Sequence, residues 1–453
     1  MLKHPTTNRS KLFLIGAATF SFLSVNCDAR AADKHNLLPG RTLIAQSKGV
    51  AKAAGSKSSA PAAVSSSAPI KIGFITSLTG AAAPSAKFMV DGIKLYMNQI
   101  HYKMAGRDVE LSIVNDESNP ATAMAAYRKL ANEDKVDIIA GLALANVGYA
   151  IAPLTDQCKV PTLYVISASD DLTQRQHHNW MVRTGWSSSQ PSHPFGEWVY
   201  KTLKYKRVVT FGMDYAFGYE VVGGFQKSFE DAGGKVVQKI WAPLGFSDFS
   251  TYIKKIHKDA DAVFVCTFGK AAAVFPKQYK QFGPGLPLIG GGSSVDETIL
   301  PQLGNEAVGT VTTMCYSGAL NTPANKKFVA ALHAAYPNDE ASFYTESPYT
   351  TGMWINQAVT ALKGNVSNKE ALLAALKKVE LKDAPRGPVK LDDRANPIEN
   401  TYVRKVERVG GRLENTVIET FPNVSQFWKY DAATFLKQPT YSKDFPPCKY
   451  CTP

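Results

Sequence analysis

The chain has 453 residues, of which 45% are hydrophobic and 20% are charged. This is the composition of an ordinary globular protein, which excludes a disordered or collagen-like chain, and the length allows two or more domains. The formal net charge of +13 raises the question of nucleic-acid binding. Since no cluster of basic residues with interleaved aromatic residues occurs, we expect no nucleic-acid partner and attribute the charge to solubility and a mild attraction for anions.

The first 69 residues are predicted to stand outside the folded part. A basic stretch precedes a 14-residue apolar run, and an A-x-A pattern follows it at 29–31. The run is short for a membrane span, which needs about 20 apolar residues, so we interpret residues 1–31 as a secretory signal peptide. Residues 32–69 are rich in Ala, Ser and Lys, which predicts a flexible linker. A lipid anchor on Cys27 is the alternative to simple export.

From Ile70 onward, short apolar runs alternate with amphipathic segments. The first set predicts strands 70–75, 109–115, 136–140 and 161–166 and helices 87–101, 121–133 and 147–158. The second set predicts helices 197–202, 218–232, 251–258 and 270–282 and strands 207–211, 235–241, 262–267 and 286–290. The remainder predicts helices 325–335, 349–363 and 369–379 and strands 389–391, 402–408 and 415–419.

This β-α alternation is typical of parallel sheets covered on both faces. Because it occurs twice, it predicts an α/β protein of two doubly wound, Rossmann-like lobes. The last segment should complete both lobes, so we expect several crossovers that form a hinge. The predicted boundaries are 70–186 plus 316–388 for the first lobe and 187–315 plus 389–453 for the second.

The cysteines and histidines do not predict a metal site. Cys448-x-x-Cys451 has neither a second CxxC nor a nearby histidine pair, which zinc would need, and it does not open a helix after a strand, as a thioredoxin-type site would. In an oxidising compartment, a disulfide between Cys448 and Cys451 or a free pair is expected. The adjacent His177 and His178 lie in a polar loop and are interpreted as surface residues. No metal and no cofactor is expected.

Several short motifs occur in an order and spacing that resemble one family. They are 72–80 (IGFITSLTG), 91–95 with Asn98, Asp116 with 119–120, Gly141, 159–161, 167–169, 183–184 and 214–218 (DYAFG). Together they resemble the type I periplasmic binding proteins of the leucine/isoleucine/valine-binding family, which serve ABC transporters. The resemblance covers residues 70–430, and no single motif in it is specific.

The resemblance implies a reversible clamp in the periplasm. Open α/β sheets bind ligands at the carboxyl ends of their strands, beside helix N-termini whose unpaired N–H groups suit a carboxylate. Two such edges would face each other and close around a small carboxylate by a hinge motion. The expected partners are that ligand and the membrane permease of an ABC importer, the expected state is a monomer, and no catalysis is expected.

The loops after the strands supply the predicted ligand-binding residues. Hydroxyl and amide groups would hold oxygen atoms, and aromatic rings would cover an apolar body. The predicted residues are Ser77, Thr79, Ala145, Asn146, Ser167, Ala168, Ser169, Tyr215, Phe217, Phe268, Ser293 and Ser294. A structural alternative exists for the serines and for Thr79, since such residues after strands commonly cap the next helix.

One departure from the family bears on the ligand. The resemblance implies Ser or Thr in the loop after the third strand, but residues 142–145 read Leu-Ala-Leu-Ala. The second-lobe loops contain no obvious carboxylate for an ammonium group, although Asp214 and Asp296 are near, and an unpaired ammonium is costly to bury. We therefore favour an amine-free ligand such as an aromatic acid, with a branched-chain amino acid as the alternative.

Other functional classes have weaker support. No G-x-S-x-G, GxxxxGK[ST], HExxH or GxGxxG pattern occurs, so an α/β hydrolase is a remote alternative. A ligand sensor that feeds a separate membrane receptor is another alternative. The segment beyond Tyr430 either wraps the second lobe or stays unpacked.

Overall fold

A computed structural model describes residues 68–451, so the predicted leader, most of the predicted linker and Cys27 lie outside the described residues. The strands are β1 Ile70–Thr76, β2 Lys103–Met104, β3 Arg107–Asn115, β4 Ile138–Gly141, β5 Thr162–Tyr164, β6 Met181–Arg183, β7 Arg207–Met213, β8 Lys235–Ala242, β9 Ala262–Cys266, β10 Leu288–Gly291, β11 Val311–Met314, β12 Glu380–Leu381, β13 Val389–Leu391, β14 Pro397–Val409 and β15 Arg412–Val424. The helices are α1 Ala83–Gln99, α2 Pro120–Arg128, α3 Ala145–Cys158, α4 Ser192–Trp198, α5 Ala216–Asp231, α6 Ser250–Ile253, α7 Gly269–Phe282, α8 Pro323–Ala335, α9 Phe343–Ala361, α10 Lys369–Lys377 and α11 Ala432–Leu436.

The first sheet has the order β2-β3-β1-β4-β5-β6. Strand β1 pairs in parallel with β3 and β4, and β4, β5 and β6 continue the parallel series. Its core also includes residues far along the chain, such as Phe328 of α8, Trp354 of α9 and Leu372 of α10. We call this sheet and the helices packed on it the first lobe.

The second sheet has the order β12-β13-β14-β11-β10-β9-β7-β8, with β15 paired to β14. Strands β7 to β11 pair in parallel, whereas β14 runs antiparallel to β11 and forms a hairpin with β15. Its core buries aromatic residues such as Phe211, Phe225 and Phe264. We call this sheet with its helices the second lobe. The predicted fold class is confirmed, whereas the predicted residues that divide the lobes stay a prediction.

Several elements differ from the sequence-based expectation. Strands β6 and β11 are not among the predicted strands, and the helix predicted at 197–202 is α4, which spans Ser192–Trp198. Helix α9 starts at Phe343 rather than at 349, because Ser342 and Thr345 form a reciprocal capping box that begins the helix earlier. The short β pieces predicted at 402–408 and 415–419 are parts of one long hairpin, 397–424. Helix α6 has only 4 residues.

The C-terminal cysteines form a disulfide, Cys448–Cys451. In the part of the chain that the structure describes, no helix is both long and apolar enough to cross a lipid bilayer.

Candidate functional site

A cavity lies between the two lobes, at the carboxyl ends of their strands. Its space is ≈ 420 Å³ when the opening to solvent is included. Only ≈ 30 Å³ of it admits the centres of water-sized molecules, so the slot is narrow and the lobes stand close together. It is lined by Ala82, Ser85, Ala143, Leu144, Ala145, Ile166, Ala168, Trp186, Tyr215, Phe217, Phe268, Ser293, Phe343 and Tyr344.

Three helices with an extended N-cap residue begin at this cavity without a side-chain cap, and α1, whose N-cap residue is Ala82, also lacks one. The N-cap residues are Leu144 for α3, Tyr215 for α5 and Phe268 for α7, and all three line the cavity. Their side chains make no capping hydrogen bond. The N–H groups of a first helical turn have no intrahelical partner, so donors from one helix of the first lobe and two of the second are available to an anion, with the helix dipoles in support.

Five other helices have a side-chain cap. The side chains of Asn119, Thr322, Ser342, Asn368 and Asp431 accept hydrogen bonds from first-turn N–H groups of α2, α8, α9, α10 and α11. The short helices α4 and α6, which begin away from the cavity, have no side-chain cap either. What distinguishes α3, α5 and α7 from these two is that their uncapped first turns open onto the cavity.

Aromatic rings from both lobes form the walls of the cavity. In the second lobe, the ring of Tyr215 lies 5.7 Å from that of Phe268 and 6.2 Å from that of Phe217, measured between centroids. On the other side, Phe343 lies 5.0 Å from Trp186 and 4.0 Å from Tyr344. Six of the lining residues are therefore aromatic, which suits a flat apolar body held between two sets of rings.

The hydroxyl groups of the cavity divide into acceptors and donors. The Oγ of Ser85 donates to the carbonyl of Ala82 at 2.9 Å, and the Oγ of Ser293 donates to that of Thr267 at 2.9 Å. Both serine oxygens can still accept a hydrogen bond from a ligand. Burial raises the pKa of the Tyr215 phenol and that of the Tyr344 phenol. The two tyrosines therefore stay neutral and keep their protons as donors.

None of the residues that line the cavity is charged. Asp214, which the sequence places nearby, accepts hydrogen bonds from Lys443 at 2.8 Å and from Tyr219. Asp296 is buried beside the site rather than in its lining, where Thr298 donates to its carboxylate, and burial raises its pKa well above the usual range. Among residues 68–451, no group of acidic, histidine or cysteine side chains is arranged to hold a metal ion.

Six of the predicted residues meet in the lining: Ala145, Ala168, Tyr215, Phe217, Phe268 and Ser293. Gly141 makes this possible in the first lobe, because it ends β4 at φ +112° and a Cβ there would lie 2.1 Å from the carbonyl oxygen of Ile75. The turn at this glycine leads directly into the start of α3.

The other six predicted residues do not line the cavity. Ser77 is buried and donates to Asp116 at 2.6 Å, and Thr79 is exposed and accepts from Asn115 at 3.0 Å. Asn146 is exposed at the first turn of α3. In each case, a local partner or the outward face of a helix determines where the side chain points.

Backbone groups account for two of the remaining three serines. Ser169 donates to the carbonyl of Ala145 at 3.0 Å, and Ser294 donates to that of Val265 at 3.0 Å. These two side chains hold loops that carry the lining. Ser167 is buried against α3, since a Cβ on Gly148 would lie 2.1 Å from its hydroxyl oxygen, and that hydroxyl has no hydrogen-bond partner within the described part of the chain.

Sequence reasoning missed Ser85, Trp186, Phe343 and Tyr344. Phe343 and Tyr344 open α9, and the Ser-x-x-Thr pattern at 342–345 was a signal for that helix start. Trp186 lies two residues after the 183–184 motif. No sequence signal points to Ser85, which lies in the first turn of α1.

Comparison with known proteins agrees with this geometry. A sequence model of the family described as "Periplasmic binding protein" matches residues 69–411. The Leu/Ile/Val-binding protein homolog 6 of Brucella melitensis is 30% identical over 363 residues, which are 78% of this chain and 91% of that protein.

Two solved structures are similar over most of the chain. A solute-binding protein of an ABC transporter from Rhodopseudomonas palustris BisB5, in complex with 3,4-dihydroxybenzoic acid, has 31% identity and a TM-score of 0.75 over 79% of this chain and 98% of its own. One from strain HaA2, in complex with p-hydroxybenzoic acid, has 29% identity and a TM-score of 0.74 over 80% and 99%.

Proposed function

This chain belongs to the periplasmic binding protein family, and we propose that it is the substrate-binding component of an ABC importer for a small aromatic carboxylate. The lobes close on the ligand, and the closed form delivers it to the membrane permease. The binding protein acts as a monomer after export through its leader, 1–31, and releases its ligand chemically unchanged.

The observation that carries the proposal is the combination of three uncapped helix starts with an uncharged, aromatic lining. The N–H groups at the starts of α3, α5 and α7 supply donors for one carboxylate without a cationic side chain. The rings of the two walls cover a planar apolar body. The oxygens of Ser85 and Ser293 are acceptors for a ring hydroxyl.

The same lining argues against an amino acid. An α-ammonium group would enter a cavity that offers no carboxylate, and burial of an ammonium without an anionic partner is costly. The solved relatives with about 30% identity carry hydroxylated benzoic acids, which supports the same ligand class.

Calorimetric titration with matched ligand pairs tests the proposal. We expect 4-hydroxybenzoate to bind and 4-hydroxybenzamide, which lacks the charge, to bind at least about tenfold more weakly, because a hydrogen bond to an ionised group contributes more than one to a neutral group. We expect 3-phenylpropionate to bind more tightly than phenylalanine, which differs only by the ammonium group. Binding of phenylalanine or leucine with no binding of the amine-free acids would overturn the proposal.

A variant pair locates the site. Phe268→Ala removes a ring of the cavity wall, whereas Phe246→Ala removes a ring that is 39% exposed outside the lining. We expect only Phe268→Ala to weaken 4-hydroxybenzoate binding. Chromatography of the ligand after prolonged incubation should return it unchanged, and conversion to a product would contradict a transport role.

A further inference from the structure

The C-terminal segment, residues 425–451, lies outside the part of the chain that the family model matches. We call it the strap. Its residues Phe427, Phe435 and Tyr441 form a small buried core of their own. This core packs around the buried His193 of α4, whose Nε2 lies 3.1 Å from the hydroxyl of Tyr441. The strap is therefore an ordered part of the fold.

One set of strap contacts holds the second lobe. Lys443 donates to the carboxylate of Asp214 at 2.8 Å, and Asp214 directly precedes Tyr215 of the cavity. Gln226 of α5 and Lys239 of β8 donate to the carbonyls of Pro447 and Pro446 at 3.0 and 2.9 Å. These contacts fix the end of the strap along α5 and β8.

A second set holds the first lobe, through the loop between β5 and β6. Thr440 donates to the carboxylate of Asp171 at 2.6 Å. The Nε of Arg175 donates to the carbonyl of Gln438 at 3.0 Å, while its guanidinium also pairs with Asp171 at 2.5 Å. The loop that carries Asp171 follows the carboxyl end of β5, so the strap crosses from lobe to lobe beside the cavity.

The strap residues that bind the two lobes are close together in the sequence. Thr440 and Lys443 are three residues apart, and a fully extended chain of that length reaches at most ~11 Å. The lobes cannot move far apart at this position unless the strap loses its bonds to one of them. The first-lobe set is made by Asp171 and Arg175, and the second-lobe set by Asp214, Gln226 and Lys239. A hinge motion of the kind that opens a two-lobed protein has to break one of them.

We propose that the strap is a tether between the lobes that limits opening of the cleft and holds the ligand-free protein close to its closed form. The narrow cavity agrees with this role. The proposal concerns lobe motion and does not depend on which ligand the protein binds.

The test measures the lobe separation in ligand-free protein. Spin labels on Leu78→Cys and Leu244→Cys, which are 43% and 36% exposed just beyond β1 and β8, report the distance across the cleft by double electron–electron resonance. The tether variant is Thr440→Val with Arg175→Met, which removes the bonds between residues 435–440 of the strap and the first lobe and keeps the aromatic core of the strap. The control is Lys429→Met, because Lys429 pairs with Glu197 of the second lobe alone.

We expect longer and broader label separations in the tether variant and an unchanged distribution in the control. Thr440→Val by itself should give an intermediate shift, and thermal denaturation verifies that each variant is folded. The same distribution in all proteins would overturn the proposal. An equal shift in the control would overturn it too, since the strap would then act through general packing rather than through its bridging bonds.

Discussion

The cavity and the buried cluster around Arg386 treat polar groups in opposite ways. At the cavity, the starts of α3, α5 and α7 have no side-chain cap and no charged residue is present in the lining. In the cluster, the buried Arg386 donates to Glu346 of α9 and to Glu399 of β14 at 2.8 and 3.0 Å, and each of its three nitrogens has a partner. The guanidinium is thus paired within the fold, whereas the first-turn N–H groups at the cavity are left for a ligand.

The largest effect should come from breaking the buried ion pairs of Arg386. Arg386→Met leaves the buried carboxylates of Glu346 and Glu399 without their cation, and we expect a loss of about 3–5 kcal/mol in the free energy of unfolding. Urea denaturation measures it. The control is Arg412→Met, which removes an ion pair between Glu340 and an arginine with a 70% exposed side chain, where about 0–1 kcal/mol is expected. Equal losses would contradict the contrast between buried and exposed pairs.

A pH-dependent effect of intermediate size should come from His193 of α4, around which the strap packs. Burial lowers the pKa of His193 from 6.5 to about 3, so between these values the unfolded state binds one more proton than the folded state. Its contribution to stability is therefore present above pH 6.5 and is lost as the pH falls. Between pH 7 and pH 5 the loss should be about 2 kcal/mol.

The variant His193→Gln does not titrate and can still bond to Tyr441. Urea denaturation at pH 7 and pH 5 should show a smaller loss for the variant than for the unchanged protein. If the free energy of unfolding fell equally between pH 7 and pH 5 in both proteins, His193 would be protonated in the folded state at pH 5.

A smaller effect should follow from capping a helix at the cavity. Leu144→Ser and Leu144→Ala remove similar bulk, but only serine can accept a hydrogen bond from the first turn of α3. We expect the serine variant to be ~1 kcal/mol more stable than the alanine variant. We also expect it to bind 4-hydroxybenzoate about tenfold more weakly, because one donor is occupied. Equal affinities would remove α3 from the proposed carboxylate site.

Removal of a cap from a helix away from the cavity should lower stability without changing ligand affinity. Asn368 accepts from the N–H of Ala371 at 2.9 Å and caps α10 away from the cavity. Asn368→Ala should lower the free energy of unfolding by ~1 kcal/mol and leave the dissociation constant for 4-hydroxybenzoate unchanged in calorimetry. A change in that constant would couple α10 to the site, against the separation argued above.

The sequence by itself determined the fold class and the positions of most strands and helices, because apolar periodicity is local. It also placed Tyr215, Phe268 and Ala145 at the cavity, since loops at the carboxyl ends of parallel strands share one edge of a sheet. The uncharged loop 142–145 already indicated an amine-free ligand, and the lining agrees with that expectation.

Only the tertiary structure decided which side chains face the cavity. Phe343 and Tyr344 reach it from a helix more than 100 residues beyond the loops that precede α5, and such long-range packing leaves no local pattern. Ser77 and Ser294 have the residue type of ligand-binding groups, but their hydroxyls are occupied by Asp116 and by the carbonyl of Val265. A sequence shows which donors and acceptors exist, whereas their partners depend on distances that only the folded chain establishes.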